Sequence, residues 1–170
     1  MQSENKRNGY CFRDGFGFGK SERLCHTRLA DRVFRQGKSF YAFPLRVIYT
    51  LESSDETSGL FKPSRFGEEA NAQLRLAKMG IAPLQVMLTV PKRKMRRAVD
   101  RVRLRRLMRE AWRIARIPLR ELLLDKGLVM NVALIYSGDE MASYSVIEKK
   151  MSKVMSRLTE AVETYNAEES

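Results

Sequence analysis

Residues 92–113 read Lys92-Arg-Lys-Met-Arg-Arg-Ala-Val-Asp-Arg-Val-Arg-Leu-Arg-Arg-Leu-Met-Arg-Glu-Ala-Trp-Arg113. At about 100° per residue, Leu104, Leu107, Met108, Ala111, Ile114 and Ala115 fall within an arc of about 120°. Arg101, Arg105, Arg106, Arg109, Arg113 and Arg116 fall on the opposite side, spread over roughly 140°. The spacing predicts a helix from about Arg97 to Ile117, apolar toward a core and arginine-lined toward its surroundings. Like charges four residues apart repel by a few tenths of a kcal/mol per pair. Arg101/Arg105, Arg105/Arg109 and Arg109/Arg113 all carry that cost, and a sequence shaped for stability alone would intersperse glutamates. Val102 falls in the middle of the arginine arc; it either touches a base or ribose or is simply tolerated there, and toleration is the simpler reading.

The flanks of this helix set the fold class. Gln85–Val90 is a short apolar run stopped by Pro91, and Leu128–Tyr136 is a longer run rich in Val and Ile. Both read as strands, so residues 85–136 form a strand–helix–strand unit. Pro118 interrupts or restarts the helix, and Gly127 caps a short helical turn over 119–126. Further out, Phe40–Leu51 is aromatic and β-branched, a strand or two short ones broken at Pro44. Residues 22–36 form a helix ended by Gly37. Ser145-Val-Ile-Glu148 has capping-box spacing and opens a last helix with apolar residues at 147, 151, 154, 158, 162 and 165. Residues 52–82 read as a long connection with one helical stretch near Glu68–Lys78. The expected architecture is an α/β (α+β) two-layer sandwich: a small mixed sheet of about four strands with three main helices. Residues 1–18, with Phe12, Phe16 and Phe18 among glycines, read as a flexible arm. Residues 19–165 form the single domain, and 166–170 a tail.

Charge points to the partner. The 170 residues carry a net charge of +12. Residues 92–120 hold 13 basic and 2 acidic side chains, and 11 of the basic ones are Arg. A clustered surplus marks a binding surface for a polyanion. Arginine presents a planar fork to phosphate and stacks on bases, which favours RNA or DNA over lipid. An amphipathic helix on a membrane surface is the competing class; it suffers because the apolar arc is needed to cover the sheet. A solvated helix face is the bland alternative. No run of 18 apolar residues exists to span a membrane, and no secretory or transit segment is evident. Two cysteines, Cys11 and Cys25, are too few for a disulfide framework, so a reduced cytoplasmic setting is expected. His26 beside Cys25 lacks enough companions for a metal site. Asp100 and Glu110 point in different directions along one helix and cannot converge on a metal. No phosphate-cradling glycine motif is present. The residues describe a binder without catalytic machinery of its own.

The segment 92–113 resembles the signature of the bacterial ribonuclease P protein subunit: a basic pair, then A-x-x-R-N-R-x-K-R-x-x-R-E. Ala98, Arg101, Arg103, Arg105, Arg106, Arg109 and Glu110 fill those places, with Arg105 for the usual Lys. Arg23-Leu24, Val33-Phe34-Arg-Gln-Gly37, Val47-Ile-Tyr49 and Leu88-Thr-Val-Pro-Lys-Arg93 are similar to the family's other conserved stretches, and the resemblance spans about residues 19–160. Three departures stand out: Val102 for the family's Asn, Ala30 for a family aromatic, and a longer 52–82 connection. The resemblance implies a left-handed strand–helix–strand crossover, against the usual hand. It implies a subunit of an endoribonuclease whose partner is the catalytic RNA, with chemistry carried by that RNA and magnesium, no tightly bound cofactor on the protein, and removal of the 5′ leader from precursor tRNA. By the same resemblance, one protein monomer binds one RNA through Lys92, Arg93, Arg97, Arg101, Arg103, Arg105, Arg106, Arg109 and Arg113. Phe34 and Tyr49 would contact the single-stranded leader, where stacking tolerates varied sequence. A ribosome-associated or general RNA-binding protein is the alternative of another class.

Overall fold

The computed structural model describes residues 17–61 and 71–168. A turn of 3-10 helix at Lys20–Glu22 precedes α1 (Thr27–Gln36), β1 (Lys38–Ala42), β2 (Leu45–Ser53), α2 (Ser54–Gly59) and α3 (Ala72–Lys78). These are followed by β3 (Leu84–Thr89), α4 (Ala98–Ala115), α5 (Ile117–Lys126), β4 (Leu128–Tyr136) and α6 (Tyr144–Glu168). The strands form one mixed sheet in the order β1-β2-β4-β3, with β1–β2 and β2–β4 antiparallel and β3–β4 parallel. The parallel pair is joined through α4 and α5, so residues 84–136 are the expected strand–helix–strand crossover.

Period-two alternation splits the sheet into two faces. Leu45, Val47, Val86, Met130, Val132 and Leu134 pack against Leu104, Met108 and Trp112 of α4, Leu119 and Leu123 of α5, and the apolar face of α6. Ile147, Met151, Val154, Leu158 and Val162 are all fully buried, as the last-helix spacing requires. Each such aliphatic side chain contributes about 1.5–3 kcal/mol. Ile48, Val129 and Ala133 face the other way and meet Leu29 and Val33 of α1, with Leu76 and Ile81.

Several expectations need correction. The 52–82 connection carries two helices in its described parts. Ser53 Oγ accepts the Glu56 N–H and Glu56 Oε2 accepts the Ser53 N–H, both at 3.2 Å, a reciprocal cap that starts α2. Asn71 Oδ1 caps α3 through the Gln73 N–H at 2.9 Å. α2 has no large apolar residue, so apolar periodicity could not reveal it. The helix expected over 22–36 starts only at Thr27. α6 starts at Tyr144, two residues earlier than a cap at Ser145 would start it, because the Ile147 N–H donates to the Ser143 carbonyl. It also runs on to Glu168, into the expected tail. Phe18, assigned to the arm, packs on the core with Arg23 and Arg116 over its ring at 5.8 and 5.7 Å. Phe12, Phe16 and Cys11 lie outside the described residues. Pro118 sits in the first turn of α5, and Gly127 closes that helix in the left-handed region at φ 66°.

Gly37 ends α1, though not by a left-handed turn: its φ is −67° and ψ 141°. It is glycine because of close approach. A Cβ there would lie 2.2 Å from the Val33 carbonyl oxygen and 2.8 Å from Ile48 Cγ2. Gly37→Ala is therefore expected to destabilise by about 2–3 kcal/mol, the upper end of overpacking costs, measured by urea denaturation.

Candidate nucleic-acid interface

α4 positions the arginines, and its ends show how they are shared out. Leu104, Met108, Ala111 and Trp112 are buried, whereas Ile114 is 44 % exposed. The covered face is rotated from the predicted one toward Trp112, because α4 packs against α6 as well as the sheet. Arg116, predicted in the outward stripe, is fully buried. Its Nε donates to Glu22 Oε1 at 2.9 Å and its Nη2 to Glu22 Oε2 at 3.0 Å and to the Gly17 carbonyl at 2.5 Å. Arg120 Nη1 lies 3.6 Å from Glu22 Oε1. Burial pulls the Arg120 guanidinium below its ordinary range, against the attraction of Glu22. These two arginines fasten the N-terminal turn to the end of α4 and belong to the architecture.

The remaining side chains divide by partner. Arg101 Nη1 donates to the Met95 and Arg96 carbonyls at 2.9 and 2.7 Å, folding the 92–97 turn against the start of α4. Lys94 Nζ pairs with Asp139 at 2.8 Å. Arg113 forks onto Glu110, with Nε–Oε2 at 3.0 Å and Nη2–Oε1 at 2.5 Å, and that hydrogen bond holds the Glu110 carboxyl below its usual range. Arg105 Nε donates weakly to the Arg101 carbonyl at 3.4 Å. Lys92, Arg93, Arg97, Arg103, Arg105, Arg106 and Arg109 are exposed and have no acidic partner among the described residues. Val102, 39 % exposed, sits among them. The stripe from Arg97 to Arg109 spans about 18 Å of rigid helix. Its cations are preorganised on one rod, which suits a run of phosphates.

Phe34 and Tyr49 are not brought together. Tyr49 is half-buried on the sheet face that meets α6, with its ring edge-on to Phe40 at 6.1 Å. Phe34 is 51 % exposed on α1, which covers the other face. On α1 the Arg32 flank turns toward Glu52, whose Oε1 is 3.0 Å from Arg32 Nη2. Phe34 and Ala30 lie on the opposite flank, toward the other end of the sheet. There Tyr41 stands opposite Arg46, and Arg46 opposite Ile135. The Arg46 guanidinium stacks over the Tyr41 ring at 5.4 Å, and Tyr41 is 61 % exposed. Sequence reasoning passed over this aromatic and cationic platform. The alternation of residues 41 and 46 across the Pro44 turn was the signal that could have found it.

Among the described residues no three His, Cys, Asp or Glu side chains cluster as a metal site. His26 precedes α1 with its ring edge-on to Phe61 at 5.5 Å, and Cys25 is exposed and free. No described helix is long and apolar enough to cross a membrane.

Buried Glu52 makes a testable exception to the rule that ion pairs stabilise. Burial raises its carboxyl above the usual 4.5, outweighing the Arg32 attraction and the Thr57 hydroxyl bond. An acid raised on folding contributes stability that is fully present below its unfolded value and lost as pH rises through the folded one. Glu52→Gln is expected to be at least as stable as the parent at pH 7. It should also flatten the decline in stability as pH rises from about 4.5, read by urea titration at several pH values.

Residues 18–159 match the family model for ribonuclease P. The chain belongs to the ribonuclease P family. It is 30 % identical over 143 residues to the ribonuclease P protein component of Porphyromonas gingivalis strain W83, covering 84 % of this chain and 87 % of that protein. The protein component of strain ATCC 33277 of the same organism is 32 % identical over the same shares of both chains. Ribonuclease P is an endoribonuclease of tRNA processing, and this chain is similar to its protein subunit over nearly the whole described domain.

Proposed function

We propose that the chain is the RNA-binding subunit of a ribonuclease P ribonucleoprotein. The α4 stripe, with Lys92, Arg93, Arg97, Arg101, Arg103, Arg105, Arg106, Arg109 and Arg113, holds the catalytic RNA. The platform of Tyr41 and Arg46 beside Phe34 carries the single-stranded 5′ leader of precursor tRNA. Stacking on Tyr41 and Phe34 tolerates any base, and Arg46 faces the leader backbone. The RNA supplies catalysis with its magnesium; the protein supplies charge and surface, as one monomer per RNA in the cytoplasm. A single observation carries this reading: Arg97, Arg103, Arg105, Arg106 and Arg109 form a row without acidic partners among the described residues, on a helix whose other face is locked into the core.

The test is cleavage of precursor tRNA by ribonuclease P RNA at low magnesium, with and without the protein. Stimulation of at least tenfold is expected. No stimulation, with salt-sensitive RNA binding intact, would leave a general RNA-binding protein.

A further inference from the structure

A second row of cations lies on α6. Residues 121–170 hold nine acidic and five basic side chains, and four of the five basic ones are Lys149, Lys150, Lys153 and Arg157. No acid falls between 149 and 157. At about 100° per residue these four share an arc of about 100°, on the flank beside the buried positions 147, 151, 154, 158 and 162. Lys149, Lys153 and Arg157 are exposed and Lys150 is half-buried, so the row covers about 12 Å of helix. None of the four has an acidic partner among the described residues. Lys149/Lys153 and Lys153/Arg157 repel at four-residue spacing. The place four residues after Glu148, where a cation would pair with it, is taken by Ser152.

Arg157 indicates what the row meets. Glu160 stands three residues away, as Glu110 does from Arg113 on α4, where the two join. Arg157 instead lays its guanidinium over the Phe40 ring at 5.0 Å. Stacking fixes the plane of the fork and leaves its N–H groups at the edge for a ligand. It also takes up a face of the Phe40 ring that a base would need. Three lysines and one fork bind phosphate and carry no base recognition. That chemistry suits base-paired RNA, whose outer surface is backbone and 2′-hydroxyl. A membrane surface is poorly matched, because the apolar face that would insert is locked against the sheet. Position matters as well. Phe40 belongs to β1 at one edge of the sheet, and α4 packs against β3 at the other. The edges are about 14 Å apart, at three strand spacings. The two rows therefore address different stretches of backbone.

We infer that the α6 flank binds a second, base-paired segment of the catalytic RNA held by the α4 row. The class of partner rests on the reading above; the surface lies apart from the leader platform. RNA anchored on α4 is held at high local concentration beside α6, so a modest contact raises the affinity about tenfold. The experiment is filter binding of the full chain to ribonuclease P RNA, without substrate, over a salt series, with hydroxyl-radical footprinting of that RNA. Lys149→Gln with Lys153→Gln, at exposed positions and with a good helix former, is expected to weaken binding about tenfold and flatten the salt slope by about 2. Protection of one paired segment should disappear, while the protection lost in the Arg105/Arg106/Arg109→Ala variant remains. Arg157→Lys keeps the charge and loses the fork, and should weaken binding about threefold. Arg75→Gln with Lys126→Gln removes the same charge away from both rows and should change the affinity less than twofold. Equal losses in the two double variants would mean a net-charge effect and overturn the proposal. Unchanged affinity for the RNA with a raised KM for precursor tRNA would put the substrate on this flank and overturn it too. Dependence on α4 with none on α6 would sink this proposal alone, whereas a parent chain that does not bind ribonuclease P RNA would sink the reading beneath it.

Discussion

Replacing Glu22 by alanine is expected to cost about 3–5 kcal/mol, the penalty for breaking a buried ion pair from one side. Glu22 is 3 % exposed and supplies both carboxylate oxygens to Arg116, one of them also lying near Arg120. Its removal leaves two buried guanidiniums facing each other. It also releases the Gly19 N–H, which donates to Glu22 Oε2 at 3.0 Å. Urea denaturation should show the loss as a lower midpoint with an unchanged slope. A loss below about 1 kcal/mol would mean that water reaches the arginines. Converting Glu22, Arg116 and Arg120 together to apolar residues of similar volume should recover most of the loss, because charges removed as a group leave no unpaired partner. The alanine variant should also loosen the packing of Phe18, whose ring lies under Arg23 and Arg116.

Changing Arg105, Arg106 and Arg109 together to alanine is expected to weaken RNA binding by about 10²–10³-fold at moderate salt, taking roughly 1–1.5 kcal/mol per charge-assisted contact. The slope of log affinity against log salt should flatten by about 2–3, one fewer phosphate neutralised per arginine. The fold should not suffer. All three side chains are exposed, alanine is the better helix former, and the repulsion between Arg105 and Arg109 disappears. Denaturation midpoints equal to or above the parent's, alongside the lost affinity, would separate binding from stability. Unchanged affinity with an unchanged salt slope would move the RNA to another face. Filter binding over a salt series measures both quantities.

The two variants carry opposite lessons about arginines on one helix. Arg109 and Arg116 are seven residues apart, nearly two full turns, and the wheel places them side by side. One is exposed, with no acidic partner among the described residues; the other is buried against a carboxylate 94 positions away in the chain. Nothing local distinguishes them. The difference is made by Glu22, carried to that spot by the turn at Lys20–Glu22 and by the Leu24 N–H bond to Val86.

Local chemistry was enough to read much of this protein from its residues. Leu128–Tyr136 is the strand its Val and Ile content requires, Gly127 is the left-handed stop before it, and the apolar spacing from 147 to 162 is buried as read. The basic helix and its polyanionic partner follow from a charge excess concentrated in 29 residues, because clustered like charge is unfavourable without a counterpart to meet it. Tertiary structure alone decided the rest. It turned the covered face of α4 toward Trp112, withdrew Arg116 and Arg120 into the core, and set Phe34 and Tyr49 on opposite faces of the sheet. It also paired Tyr41 with Arg46 across the β1–β2 turn. Periodicity specifies which side of an element is apolar; which other element arrives there, and from which end, depends on contacts between residues distant in the chain.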